Sequence, residues 1–533
     1  MSPPKTRFGT LALLTTAAVS LRSLAASTDC SYDYIVVGAG TCGLLVANRL
    51  SQDANFTVAV IDPGADQRNN PNVVDPLGWL GLTGTSVDWG YSSIPQESLG
   101  GREAVGASHE GEYHGSSGDI HVGFNPDLLN GSFYGSVKES WAALGQGLNK
   151  DVNSGATAGF DVWPQTLDPV RNVRWDSATA FYWPVRDRPN LRLLNGTVSK
   201  ILWKPGKAKT PEASGVEYLT PDGQTATLRA RREVIVSAGA LRTPLVLELS
   251  GIGDPSRLKR LDIETVVNLP GVGENMIDQT NVALFYSTRD SFSGYAPYAT
   301  FVNASSLFGG DVESVAASTK RSLSRWAQQV ANDTGGAVSA MALEHLFRVQ
   351  HDLIFQSDVT IAEILSSASG SLSVSAYWAL LPFSRGSVHL SSASGAHAPE
   401  INPRFLSVDF DLAVQVAAGR LSTTFWSTAP ASAVVEAQIQ PNSTVLPPDA
   451  TDAQWQSFTV SSLSSNSHSV GTAAMMAREL GGVVDSELRV HGTKNVRVVD
   501  ASVLPMQMSG HLTATLYAVA ERAAEFIIQA RRS

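Results

Sequence analysis

The stretch "YDYIVVGAGTCGLLVANRLSQDANFTVAVIDPGAD", residues 32 to 66, decides the fold. "YIVVG" is a short, apolar, β-branched run, the signature of a buried strand. Gly38, Gly40 and Gly43 follow in G-x-G-x-x-G spacing, with Thr41 between them. "LLVANRL" then carries apolar residues at helical spacing, and "TVAVID" is a second strand closing on Asp62. Each glycine has a physical task. Gly38 permits the tight turn, Gly40 lets the backbone approach a pyrophosphate, and Gly43 lets helix and strand pack closely. The helix N-terminus then faces the phosphates. A carboxylate at the end of the second strand accepts hydrogen bonds from ribose hydroxyls and repels a 2′-phosphate, which speaks against NADP. Glycines alone fit a turn in many α/β folds; strand, glycines, helix, strand and acid in order predict a dinucleotide site. This stretch does not separate NAD from FAD.

The other end of the chain does. "NVRVVDASVLP" reads as a strand ending at Asp500, before a loop and a helix, "LTATLYAVAERAAEFIIQA". A late strand returning to the nucleotide domain suits a cofactor that is clamped rather than released, so FAD is predicted. His511 stands just before that helix. His468 sits in "SSNSHSVGTAAMM", which by itself reads as a surface loop.

At 533 residues the chain is too long for one simple core. Its hydrophobic share of 43% and charged share of 17% are those of a folded protein. A net charge of −10 argues against nucleic acid as a partner. The two cysteines, Cys30 and Cys42, form no disulfide framework and no Cys-rich metal site, so no metal is expected. Lys5 and Arg7 precede the apolar run "FGTLALLTTAAVSL" and the small-residue stretch "RSLAAST". That layout predicts a signal peptide over residues 1–26, and the run is too short to span a bilayer. Glycosylation sequons at Asn55, Asn130, Asn195, Asn303, Asn332 and Asn442 agree with a secretory route, toward a secreted or vesicular location without stable membrane insertion.

Several further stretches resemble the glucose-methanol-choline (GMC) flavin oxidoreductase family. "GALRTPLVLELSGIGDP", residues 239–255, is similar to its second signature, and "GVGENMIDQ" to its V-G-x-N-x-x-D stretch. "LLPFSRGSVHLSS" and "PEINPRFLSVDFDLAVQVAAGR" look like substrate-domain strands. "SHSVGTAAMM" resembles the catalytic-histidine stretch, and "VVDASVLP" with "GHLTATLYAVAERAAEFI" the C-terminus. The pattern looks closest to the fungal branch that contains versicolorin B synthase and patulin synthase.

The resemblance implies an α/β protein of two domains. A Rossmann-like FAD-binding domain would be built from discontinuous segments, residues 30–100, 191–280 and 480–533. A substrate-binding domain with an antiparallel sheet would take 101–190 and 281–479. FAD would be held by Gly38, Gly40, Thr41, Gly43, Asp62, Val198, Asp500, Ala501, Leu512 and Thr513. His468 would be the base and His511 its partner in oxidising an alcohol or lactol of fungal secondary metabolism. A histidine, with an ordinary pKa of about 6.5, suits proton transfer near neutrality. A non-redox cyclase of the same fold, or an inactive shortened paralogue, is the alternative.

One family segment is absent. Pro95-Gln96 and Gly101-Arg102 are present, and so is "YHGSSGD" from Tyr113. Between them "EAVGASHEGE" stands where the family carries a glycine-serine flavin loop and several dozen further residues. Glycine loops let backbone amides approach a flavin closely. Their loss predicts a weaker hold on FAD.

Overall fold

The computed structural model describes residues 31–75, 78–88, 91, 118–123, 132–149, 152–162, 165–168, 170–206, 208–292, 297–394 and 398–531. The expected signal segment, Cys30, the sequon at Asn130 and residues 92–117 lie outside them.

The first sheet has seven strands. Ser31–Val37 lies parallel between Val58–Asp62 and Thr225–Val236, and Val58–Asp62 is flanked in turn by Leu191–Asn195, also parallel. Ala213–Leu219 and Thr197–Trp203 extend the other side antiparallel. Val496–Val498 pairs in parallel with the end of Thr225–Val236. Strands covered on both faces read as continuous apolar runs. Ile35, Val36, Val58, Ala59 and Val60 are all fully buried. The helix Thr41–Leu50 and the last helix, Thr513–Ala530, pack against each other on this sheet.

The second sheet has six strands and is antiparallel throughout. Its long central pair is Thr280–Phe292 and Thr360–Ala379. Along Thr280–Phe292, buried positions alternate with half-buried ones from Thr280 to Thr288, the period of a strand with one face in a core. Helices Val312–Asp333, Ala340–Phe355 and Asp409–Ser427 contribute to that core, where Trp141 stacks on Phe425 at 4.5 Å between ring centroids. An α/β protein with a mixed parallel sheet and a separate antiparallel sheet is therefore observed, as the sequence predicts.

Two segments differ from their expected role as strands of the substrate-domain sheet. Ser387–His389 and Glu400–Asn402 form a small sheet of their own, packed beside the helix Thr243–Leu249. "DFDLAVQVAAGR" lies in the helix Asp409–Ser427. Phe410, Val414, Ala418 and Phe425 recur at helical spacing and are buried, and this periodicity outweighs the β-branched content.

Candidate active site

The fingerprint glycines are distinguished by what surrounds them. Gly38 has φ +107°, and a Cβ there would lie 2.3 Å from the Ser237 carbonyl oxygen. A Cβ on Gly43 would lie 2.0 Å from the Gly38 oxygen. These two are demanded by the protein itself. Gly40 is not: its φ of −80° and ψ of −163° suit any residue, and a Cβ there meets nothing within 4 Å. It is the N-cap of the helix Thr41–Leu50, and no side chain caps that terminus.

The space Gly40 leaves opens into a cavity of about 800 Å³. That lies in the range of ligand sites, roughly 300–1,000 Å³. Gly38, Thr41, Asp62, Val198, Asp500 and Ala501 also line it. The Asp62 carboxylate accepts from the N–H groups of Ala39 and Gly64, both at 2.7 Å, and so holds the glycine turn against the strand end. Asp500 ties its own turn to the Gly239–Thr243 segment. It accepts from Gly239 N–H at 3.0 Å, from the Thr243 hydroxyl at 2.5 Å, and from the backbone and hydroxyl of Ser502 at 2.8 and 2.5 Å. Leu512 packs with Ile277, Val470 and Leu504, and Thr513 opens the last helix. A helix N-terminus, room for close backbone approach and a strand-end carboxylate around one cavity fit the adenosine and pyrophosphate part of FAD.

His468 and His511, 43 residues apart in sequence, come together with ring centroids 5.2 Å apart and planes at 76°. Both are buried. The segment carrying His468 is tied to the end of the late strand: Gly471 and Ala473 N–H groups donate to the carbonyls of Ala501, which lines the cavity, and of Ser502. Asp278 fixes the loop, accepting from the backbone N–H of His468 and Gln279 and from the hydroxyls of Ser465 and Ser469. Burial pushes the Asp278 carboxyl up to about 6 against those hydrogen bonds.

Two residues of this cluster escape sequence reasoning. Glu363, on the strand Thr360–Ala379, places both carboxyl oxygens 3.0 Å from His511 Nε2. Burial drives its carboxyl well above the usual range and pushes His511 down to about 3. Burial disfavours the charged form of both groups and leaves the His511 imidazole neutral near pH 7. Gln279 accepts at 2.6 Å from His468 Nδ1. The readable trace of Glu363 is a lone acid inside the strand "TIAEILSS".

A third buried group stands beside this site. His389 lies between two buried acids, with Nδ1 2.7 Å from Glu248 and Nε2 3.0 Å from Glu274; Arg257 is 4.0 Å from Glu274. Burial works against its charge, but the two carboxylates outweigh it and hold the imidazole above its ordinary value. A raised folded-state value stabilises fully below the unfolded pKa of about 6.5, and that contribution is lost as pH rises through the folded value. Melting temperature is therefore expected to fall as pH is raised above neutrality. His389→Gln, measured over the same buffers, should flatten that slope. An unchanged slope would mean the histidine is not charged in the fold.

Of the sequons, Asn55, Asn195, Asn332 and Asn442 are exposed. The Asn195 amide donates to the Pro63 and Gly64 carbonyls, and Asn303 caps a helix while donating to Asp358 at 2.7 Å. A glycan would replace one amide hydrogen, costing Asn195 one of its two bonds and leaving the Asn303 Oδ1 cap in place. Among the described residues no helix is long and apolar enough to cross a membrane, and no cluster of His, Cys, Asp and Glu could hold a metal ion.

Two family models, both described as GMC oxidoreductase, match residues 130–281 and 382–520. The glucose oxidase-like protein fsoC of Humicola fuscoatra is 45% identical over 97% of this chain and 98% of its own length. That alignment runs over 581 positions against a chain of 533, so the relative carries dozens of residues with no counterpart here. Glucose oxidase of Penicillium chrysogenum is 29% identical over 94% of this chain and 92% of its own. Among solved structures, an FAD-dependent oxidoreductase from Chaetomium thermophilum superposes with a TM-score of 0.84 at 24% identity, covering 94% of this chain and 100% of that one. A fungal aryl-alcohol oxidase gives 0.78 at 24% identity, covering 95% and 100%.

Proposed function

The chain belongs to the GMC oxidoreductase family, whose cofactor is FAD, and from that premise we propose that it oxidises a small-molecule alcohol or lactol with His468 as base. The observation that carries this reading is the buried His468–His511 pair, backed by Glu363, with His468 on a loop hydrogen-bonded to Ala501 of the cavity wall. When bound, FAD supplies the hydride acceptor. The chain supplies the rest. Gly40 and the Thr41–Leu50 helix N-terminus would receive the pyrophosphate, Asp62 the adenosine ribose, and the backbone at Val198 the adenine. His468 takes the hydroxyl proton at a ring nitrogen as the C–H bond breaks. His511, kept neutral by burial, orients the alcohol oxygen. The walls exclude water from both histidines, which are 4% and 8% exposed.

Relatives named as glucose oxidases and a fold neighbour named as an aryl-alcohol oxidase support a hydroxyl on a sugar or a benzylic carbon as the class of substrate. The fungal-branch motifs support a secondary metabolite. The apolar N-terminal run and the sequons support passage through the secretory route.

The test is the absorbance spectrum of purified protein, followed by anaerobic addition of D-glucose and of benzyl alcohol. Flavin bleaching by either supports oxidation. A flavoprotein bleached by no alcohol would return the cyclase reading. A second expectation concerns Asp62→Ala. Losing hydrogen bonds to two ribose hydroxyls at about 1 kcal/mol each should weaken FAD retention roughly 10-fold or more. Turnover per bound flavin should stay within about twofold. A variant that purifies with full flavin occupancy would remove Asp62 from the cofactor site.

A further inference from the structure

We propose that Gln279 is a positioning residue that fixes the tautomer of His468, keeping the hydrogen on Nδ1 so that Nε2 is the nitrogen able to take a proton. The argument starts from the amide. Gln279 is wholly buried, and its Nε2 faces two carbonyl oxygens, those of Leu380 at 3.1 Å and Met508 at 3.4 Å. Carbonyls only accept, so turning the amide round would set oxygen against oxygen twice. Oε1 therefore points at His468 Nδ1, 2.6 Å away. An amide oxygen also only accepts, so Nδ1 must donate. A neutral imidazole has one N–H, and Nε2 is left with its lone pair.

Asn466 approaches the same Nδ1, its Nδ2 at 3.2 Å, while its Oδ1 accepts from Asn281 Nδ2 at 3.1 Å. These two amides can turn together and keep their mutual bond, which would present Asn466 Oδ1 to the ring. Gln279 has no such freedom, so it decides. The ring itself is held through its backbone: His468 N–H donates to Asp278 at 2.8 Å, and the His468 carbonyl accepts from Gln507 Nε2 at 2.6 Å. The charged or titratable groups nearby are Asp278, bound to that backbone and to two serines, and His511 with Glu363 behind it. The group on Nδ1 is thus a neutral amide. It orients the imidazole without the rise in proton affinity that a carboxylate partner would bring.

The assignment of the tautomer stands on geometry; its consequence for catalysis rests on the histidine-base reading. The experiment is a long-range proton–nitrogen spectrum of the holoenzyme labelled with ¹⁵N-histidine, at a pH where the imidazole is neutral. His468→Asn identifies the His468 signals among those of the ten histidines. A protonated Nδ1 with an unprotonated Nε2 is the expected result, and an Nε2–H tautomer would overturn the proposal. In Gln279→Met, which keeps length and apolar volume, the His468 signals should shift toward a mixture of tautomers. Flavin reduction should slow about 10-fold or more, with KM for D-glucose or benzyl alcohol within about twofold. A Gln279→Met enzyme with unchanged nitrogen signals would also sink it, even if its melting temperature fell. If His468→Ala left flavin reduction intact, the base reading would fail, while the nitrogen spectrum would still decide the tautomer.

Discussion

Replacing His468 by Ala is expected to slow flavin reduction by about 10²–10⁴-fold while leaving FAD bound, the usual worth of a positioned general base. At about 1.4 kcal/mol per decade this is roughly 3–6 kcal/mol of barrier. The two halves of that expectation come from different parts of the structure. The imidazole bonds to Gln279 and stands against His511, so its loss removes the proton acceptor. The cavity wall that meets the cofactor includes Gly38, Gly40, Asp62, Asp500 and Ala501, none of which bonds to the imidazole. Stopped-flow reduction and the flavin-to-protein ratio separate the two. A variant reduced at the native rate would remove His468 from the chemistry.

The second large effect is a contrast between neighbouring glycines. Gly43→Ala drives a Cβ into the Gly38 carbonyl, backbone that cannot swing aside, so the stripped protein itself should lose stability by about 1–3 kcal/mol or more. A Cβ at Gly40 meets nothing within 4 Å and the backbone there is allowed to any residue, so stripped Gly40→Val should melt close to the native protein. Its branched side chain stands where the pyrophosphate must approach. Two charge-assisted hydrogen bonds lost at about 1.5–3 kcal/mol each would weaken FAD binding by roughly 10²-fold or more. Added FAD should raise the melting temperature of the native chain and leave that of Gly40→Val nearly unmoved. Equal gains in both would mean that Gly40 does not face the cofactor.

What could be read from the sequence divides by the range of the interactions involved. The fingerprint is local: turn, cap and strand-end acid fall within 25 residues, and their order alone specifies the geometry. The histidines were reached through resemblance, because a loop histidine has no periodicity to betray it. Glu363 and Gln279 act on partners 148 and 189 residues away, and no spacing rule spans such a distance. The 380–420 region misled in another way. Its resemblance to the family implies substrate-domain strands, whereas Ser387–His389 docks on the helix Thr243–Leu249, held there by the buried Glu248–His389–Glu274 group. That attraction lies between acids and a histidine far apart in sequence, which composition cannot show.

The placement of Val496–Val498 in the first sheet also bears on biogenesis. This strand leads to Asp500 and Ala501, which with Leu516 of the Thr513–Ala530 helix line the same cavity as Gly38, Gly40, Thr41 and Asp62. A ribosome has therefore synthesised nearly the whole chain before the cofactor cavity can exist. Residues emerging first must wait, with Ile35, Val36 and Val60 uncovered, for partners made last. Cofactor loading is accordingly an event after synthesis, and a chain stopped before residue 496 leaves a half-built, apolar sheet for chaperones or proteases to deal with.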